Sequence, residues 1–311
     1  MIFVLLGANA MAQQDPMYTQ YMNQILSINP AYAGSKGVTS ATFLDRRQWS
    51  SWKNSNGTSL SPETATLFVH SPLNTEMGVG GSFLIDKMPI NSDAAVTNYA
   101  FFGDYSYTIT YPGEKYLSLG LKLGFAFYSA QLSNLYLGES GQYDPAFKDI
   151  SNKFLPNAGV GVYFSSPNYY LGFSVPKLIT NKISQGEVET GTVIREEIHA
   201  FFMGGYVFDI NRILKFKPYF MVRVAPNSPI SADLTAQCVL FDRFWVGATY
   251  RTGCGIGAMV QLQVTKQLKI GYAYDLTTNE LGSYNAGGTH EILVNFDFSF
   301  GRGRVRSPRY F

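Results

Sequence analysis

In one stretch of this chain every second residue is large and apolar. Leu117, Leu119, Leu121, Leu123, Phe125 and Phe127 are separated by Ser118, Gly120, Lys122, Gly124 and Ala126. A period of two places the two sets on opposite faces of an extended strand. The same pattern recurs with Ile256, Ala258, Val260, Leu262 and Val264, and with Ile292, Val294, Phe296, Phe298 and Phe300. A soluble β-sandwich also alternates, but its outer face is rich in Lys, Glu and Thr. Here the intervening residues are mostly Gly, Ser, Asn and Gln, and charged residues make up only 15% of the chain. A lumen suits such a face better than bulk water. About 14 segments of this kind can be counted, an even number as single-chain bacterial outer-membrane barrels require. They begin near Val38, Pro62, Met77, Ala94, Lys115, Asn157, Tyr169, Glu196, Lys215, Ser231, Phe244, Gly255, Leu268 and Thr289.

The connections supply a second test. Alternate ones are short: Leu73–Glu76, Tyr111–Glu114, Ser166–Asn168, Ile210–Leu214, Asp242–Arg243 and Thr265–Gln267. Those between them include the long Ser50–Ser61, Gln131–Pro156, Pro176–Arg195 and Thr277–Gly288. Short turns at one end and long loops at the other mark an outer-membrane barrel, whereas a sandwich has no reason to sort loop length by parity. No window reaches the roughly 18 apolar residues of a membrane helix. The predicted fold is therefore all-β, a transmembrane antiparallel barrel of about 14 strands in a Gram-negative outer membrane.

Four regions follow. Residues 1–12 are apolar and end in Ala10-Met11-Ala12, which reads as the end of a signal peptide whose basic start is missing. Residues 13–37 contain Tyr18, Tyr21, Met22, Ile25, Leu26 and Ile28. That is too apolar for a free tail, so the segment is expected to pack in the lumen or under the rim. Asn29, Pro30, Ala31 and Tyr32 form its expected bend, since Asn-Pro favours turns. Residues 38–300 form the barrel. Residues 301–311 are a tail carrying four Arg, suited to anionic headgroups or an acidic partner.

The residues point away from catalysis. His70, His199 and His290 each fall in a strand pattern, and no nucleophile elbow, phosphate loop or metal-ligand spacing is present. No cofactor and no metal are expected. Asp86, Asp104, Asp233, Asp275 and Asp297 recur on strands and read as lumen charge. Cys238 and Cys254 fall on strands expected to be non-adjacent and are not paired. The glycines of Met77–Gly81 open a strand rather than a helix, and are expected to let a plug or side chain approach the backbone. With a net charge of +2 and no basic stripe among aromatics, nucleic acid is not an expected partner. Tyr136, Tyr143, Phe147 and Phe154, read as residues of the longest outer loop, are the candidate partner-binding anchors.

The opening Gln14-Asp15-Pro16-Met17-Tyr18-Thr19-Gln20-Tyr21-Met22, followed by Ile28-Asn29-Pro30-Ala31-Tyr32-Ala33-Gly34, closely resembles the signature of the PorP/SprF family. Asp144–Phe147, Pro156–Tyr163, Gly288–Val294 and Ser307–Phe311 resemble its central and closing stretches. The resemblance implies an outer-membrane, non-enzymatic component of the type IX secretion and gliding machinery. It further implies support for export or cell-surface anchoring of a secreted adhesin-like protein with a C-terminal sorting domain. Contact with the translocon or periplasmic lipoproteins, and with outer-membrane lipid, is implied as well. The competing expectation is a fatty-acid-channel-like transporter of hydrophobic compounds, whose plug carries an element similar to Asn29-Pro30-Ala31.

Overall fold

The computed structural model describes residues 17–54, 56–91, 94–133, 136–137, 142–143, 149–183, 196–226, 228–253, 255–278 and 287–298. Fourteen strands form one closed antiparallel barrel. They are β1 (Thr39–Arg47), β2 (Glu63–Pro72), β3 (Met77–Pro89), β4 (Ala95–Tyr111), β5 (Lys115–Ala130), β6 (Ile150–Ser165) and β7 (Tyr169–Val175). Next come β8 (Ala200–Tyr206), β9 (Leu214–Val224), β10 (Ser231–Leu240), β11 (Phe244–Arg251), β12 (Gly255–Gln263), β13 (Leu268–Thr277) and β14 (Thr289–Phe298). Each strand pairs with its neighbours in sequence, and β1 closes on β14 with Thr39 opposite Phe298 and Arg47 opposite His290. The two-residue strand Phe208–Asp209 extends the pairing along β9.

Burial is inverted relative to a water-soluble protein, and this decides between sandwich and membrane barrel. On β5, Leu119, Leu121 and Leu123 are 47%, 56% and 68% exposed, while Ser118 and Lys122 between them are 4% and 2% exposed. Apolar side chains point out to lipid and polar ones point in. Among the described residues no helix is long and apolar enough to cross a membrane. The carboxylates Asp104 and Asp233 are 4% and 1% exposed on the inner face, as expected for lumen charge. Cys238 is a free, half-buried thiol on β10; Cys254 lies outside the described residues, as do the expected signal peptide and the basic tail.

Two strand starts differ from the sequence reading. The sixth begins at Ile150 rather than near Asn157, and the eighth at Ala200 rather than near Glu196. Pro156 concealed the first. Its carbonyl accepts from Asn181 Nδ2 at 3.0 Å, so its missing N–H faces the same side, away from β5. A strand tolerates proline on an edge. That side is an edge because β7 ends at Val175, opposite Val160, while β6 runs on to Ile150.

The segment after β7 covers this edge. Leu178 N donates to Ala158 O at 2.8 Å. The Asn157 carboxamide pairs with Ile179 both ways, Nδ2 to O at 3.0 Å and N to Oδ1 at 3.1 Å. Strands β3 to β6 hold 13, 17, 16 and 16 residues, more than the roughly 9–11 that cross a bilayer. At the end that carries the long loops, β6 runs ten residues past the last pair with β7, from Val160 to Ile150.

Candidate functional site

The N-terminal segment meets the lumen wall through a network of hydrogen bonds and buried ion pairs. From Met17 onward the chain makes three short turns of helix, Tyr21–Asn23, Ile25–Ile28 and Pro30–Tyr32. None is long enough to be stable alone. They are held by burial: Tyr21, Ile25, Leu26, Ala31 and Tyr32 pack in one cluster with Tyr163, Tyr170, Met203, Met221, Met259 and Leu293 from strands all round the barrel.

Two sets of contacts fix the segment. Towards the loop end, Glu291 on β14 accepts from two consecutive backbone amides, Thr19 N at 3.0 Å and Gln20 N at 2.9 Å. Arg46 lies directly across from Glu291 on β1 and bonds it at 2.9 Å. Arg46 also reaches Asp275 on β13 at 3.0 Å and the Thr19 hydroxyl at 3.2 Å. The Thr19 hydroxyl in turn donates to Asp275. Arg251 on β11 binds Asp233 at 2.8 Å and donates to Tyr18 O at 3.1 Å. Glu291 and Arg46 are 0% and 4% exposed, so the ion pairs are screened little by water.

Towards the turn end the contacts are steric. Asn29 accepts from Ala31 N at 3.0 Å, capping the Pro30–Tyr32 turn, and its Nδ2 donates to Val162 O on β6 at 2.9 Å. Three glycines face this bend from three strands. A side chain at Gly78, Gly120 or Gly161 would collide with Ala33 O, Ala31 N or Asn29 Oδ1 respectively. Gly34 closes the bend at φ 71°, where a glycine is favoured, and its N–H donates to His70 Nδ1 at 3.1 Å. Tyr32 meets the His70 ring at 5.3 Å and the Tyr163 ring edge-on at 5.4 Å. Ser106 and Lys122 complete the cradle by donating to Ala33 O at 2.7 Å and Leu26 O at 3.2 Å.

The four bend residues therefore meet in one place, against β4, β5 and β6. The four proposed anchors do not. Tyr136 is the register partner of Tyr143 in a two-residue hairpin within the loop after β5. Phe147 lies outside the described residues. Phe154 is not a loop residue: it sits on β6, 55% exposed, with its ring 5.5 Å from Phe125 and 5.8 Å from Phe127 on the outer face. The base of that loop is closed by Asp149, which accepts from Leu132 N and Ser133 N at 2.8 Å each. The Ser133 backbone N–H, then its hydroxyl, holds the Asp149 carboxyl below its ordinary pKa. Glu291, Arg46 and Arg251 were not singled out by the sequence, because their contacts are long-range. Among the described residues no group of three or more His, Cys, Asp or Glu is placed to hold a metal ion.

The family model for the type IX secretion system membrane protein PorP/SprF matches residues 10–296, which includes both the clamp and the cradle. The chain belongs to the PorP/SprF family. It is accordingly an outer-membrane β-barrel component of type IX secretion. No curated protein matches this PorP/SprF chain. Among solved structures, it is similar to the CymD monoaromatic hydrocarbon channel, with a TM-score of 0.54 at 10% identity over 90% of this chain and 94% of that one. It is also similar to the Ralstonia pickettii toluene transporter TbuX, with a TM-score of 0.50 at 10% identity over 88% and 92%. At such identities the likeness shows the barrel fold alone.

Proposed function

We propose that this PorP/SprF barrel is a plugged docking platform. It supports the export or surface retention of a secreted adhesin-like protein, whose C-terminal sorting domain it meets at the outer loops. The translocon or a periplasmic lipoprotein is its partner at the short turns. The observation that carries this reading is the division of the molecule. The lumen is occupied by residues 17–37 and cross-linked by buried ion pairs, while β6 runs on past the end of β7 on the side of the longest connections. Surface that is both large and aromatic is what interfaces use as anchors.

The test replaces Tyr136, Tyr143 and Phe147 together by Ala, with Phe154→Ala as a separate variant because Phe154 lies on the outer wall. Release of the secreted protein from the cell surface, with the barrel still folded by its heat-modifiable migration on gels, supports docking at the loop. Unchanged surface display in the triple variant sinks it. The second reading, a channel for hydrophobic compounds, draws on the printed names of the two similar structures. It requires solute flux, which a liposome-swelling assay on the purified barrel measures.

A further inference from the structure

Three of the short turns share a pattern that the others lack. Ile210-Asn211-Arg212 lies between β8 and β9, Phe241-Asp242-Arg243 between β10 and β11, and Val264-Thr265-Lys266 between β12 and β13. Each is a large apolar residue followed two positions on by a cation. Ile210, Phe241 and Val264 are 58%, 64% and 47% exposed, and Arg212, Arg243 and Lys266 are exposed with them. Two carboxylates lie in the same turns, Asp209 and Asp242, and Asp242 is bonded to Lys215 at 2.6 Å. The turns on the other side of the barrel carry Glu76 and Glu114, with Lys115 beside Glu114, and Ser166–Asn168 carries no charge.

Phe241 is the least expected of these residues. It and Asp242 have φ 55° and 52°, the left-handed conformation of a tight hairpin turn. Asn, Asp and Gly fill such positions, and a bulky ring there is strained. Strain held at an exposed aromatic residue is a mark of function rather than of packing.

The outer wall fixes the depth of these turns. Tyr169, Tyr206, Phe208 and Phe216 form a continuous band of rings, with successive centres 6.3, 4.4 and 6.3 Å apart. Phe244, 47% exposed, adds a ring directly after Arg243. Such a girdle marks the level where acyl chains give way to headgroups. Cations just beyond it reach the phosphates, while apolar side chains beside them rest against the acyl boundary.

We infer that this half of the rim is a binding surface for anionic phospholipid of the periplasmic leaflet. Arg212, Arg243 and Lys266 meet the phosphates, and Ile210, Phe241 and Val264 meet the lipid below them. A zwitterionic headgroup brings its own cation to the phosphate and is attracted less. The side with Glu76 and Glu114 has no such site, so the barrel is tethered to anionic lipid along one side only. This inference does not depend on the docking of a secreted protein at the outer loops.

The test titrates the full chain in nonionic detergent with phosphatidylglycerol and with phosphatidylcholine of the same acyl chains, and reads bound lipid by native mass spectrometry. Phosphatidylglycerol is expected to bind more tightly. Replacing Arg212, Arg243 and Lys266 together by Gln weakens it by roughly tenfold or more, since each cation near an anionic surface contributes about fivefold. The same variant leaves phosphatidylcholine within about twofold and the heat-modifiable migration of the barrel unchanged. Glu76→Gln with Glu114→Gln leaves both lipids unchanged. Phe241→Gly weakens both lipids without lowering heat stability, because it removes the ring and relieves the turn. Equal retention of the two lipids by the parent, or phosphatidylglycerol binding that survives the triple substitution, overturns the assignment. So does capture of poly-glutamate by the parent without preference between the lipids, which would make the surface a dock for an acidic protein.

Discussion

The two ends of the docked segment are held by different physics. At the loop end, Thr19 and Gln20 are fixed by charge: one buried carboxylate takes both amides and is itself held by Arg46. At the turn end, Asn29 to Gly34 are fixed by shape, with three glycines leaving room for backbone against backbone. Buried ion pairs contribute little net stability against an apolar replacement, but breaking one leaves an uncompensated charge. The glycine contacts of the cradle act the other way, since they carry no charge to lose and are lost when a methyl group is added. The comparison teaches that the clamp sets register and the cradle sets closeness.

The largest effect is expected at the clamp. Glu291→Ala leaves two amide donors without their acceptor and Arg46 with Asp275 as its remaining carboxylate, and breaking a buried pair costs about 3–5 kcal/mol. Hydrogen exchange at Thr19 and Gln20 should accelerate accordingly, while exchange in strands β3 to β6 stays slow. If the whole segment loosens together, clamp and cradle are one cooperative unit and the distinction fails.

Next comes Gly120→Ala, which pushes a methyl group into Ala31 and costs about 1–3 kcal/mol by overpacking. Its signature is protease sensitivity around residues 26–34. Asn29→Ala removes a cap and the bond to Val162 O, with an expected loss of about 0.5–2 kcal/mol in thermal unfolding.

The smallest effect lies outside the barrel, at Asp149. Its folded pKa is depressed, so its contribution is present above the unfolded value of about 3.9 and is lost as pH falls through the folded value below it. Exchange at Leu132 and Ser133 should therefore rise only in strong acid, and Asp149→Asn should remove the step. A step at neutral pH would contradict the assigned bonds.

Much of this was readable in the sequence, for physical reasons that differ by element. The strands were legible because lipid on one side and a lumen on the other impose a period of two over long runs, as in Leu117 to Phe127. The turn end was legible through Asn29-Pro30, a local signal, and through Gly78, a small residue where a strand should carry bulk. The clamp was not. Glu291 and Thr19 are 272 residues apart, and nothing local distinguishes Glu291 from any other lumen carboxylate. Phe154 was misplaced because Pro156 reads as the end of a loop, and only the early end of β7 makes an edge that accepts it.

The most direct test of a barrel closed by its own N-terminal segment is conductance in a planar bilayer. The intact chain should show no steady open-pore current, and a chain lacking residues 17–34 should show discrete openings. A stable, large conductance through the intact chain would contradict the account, because the clamp and cradle fix the segment to the lumen wall at both ends.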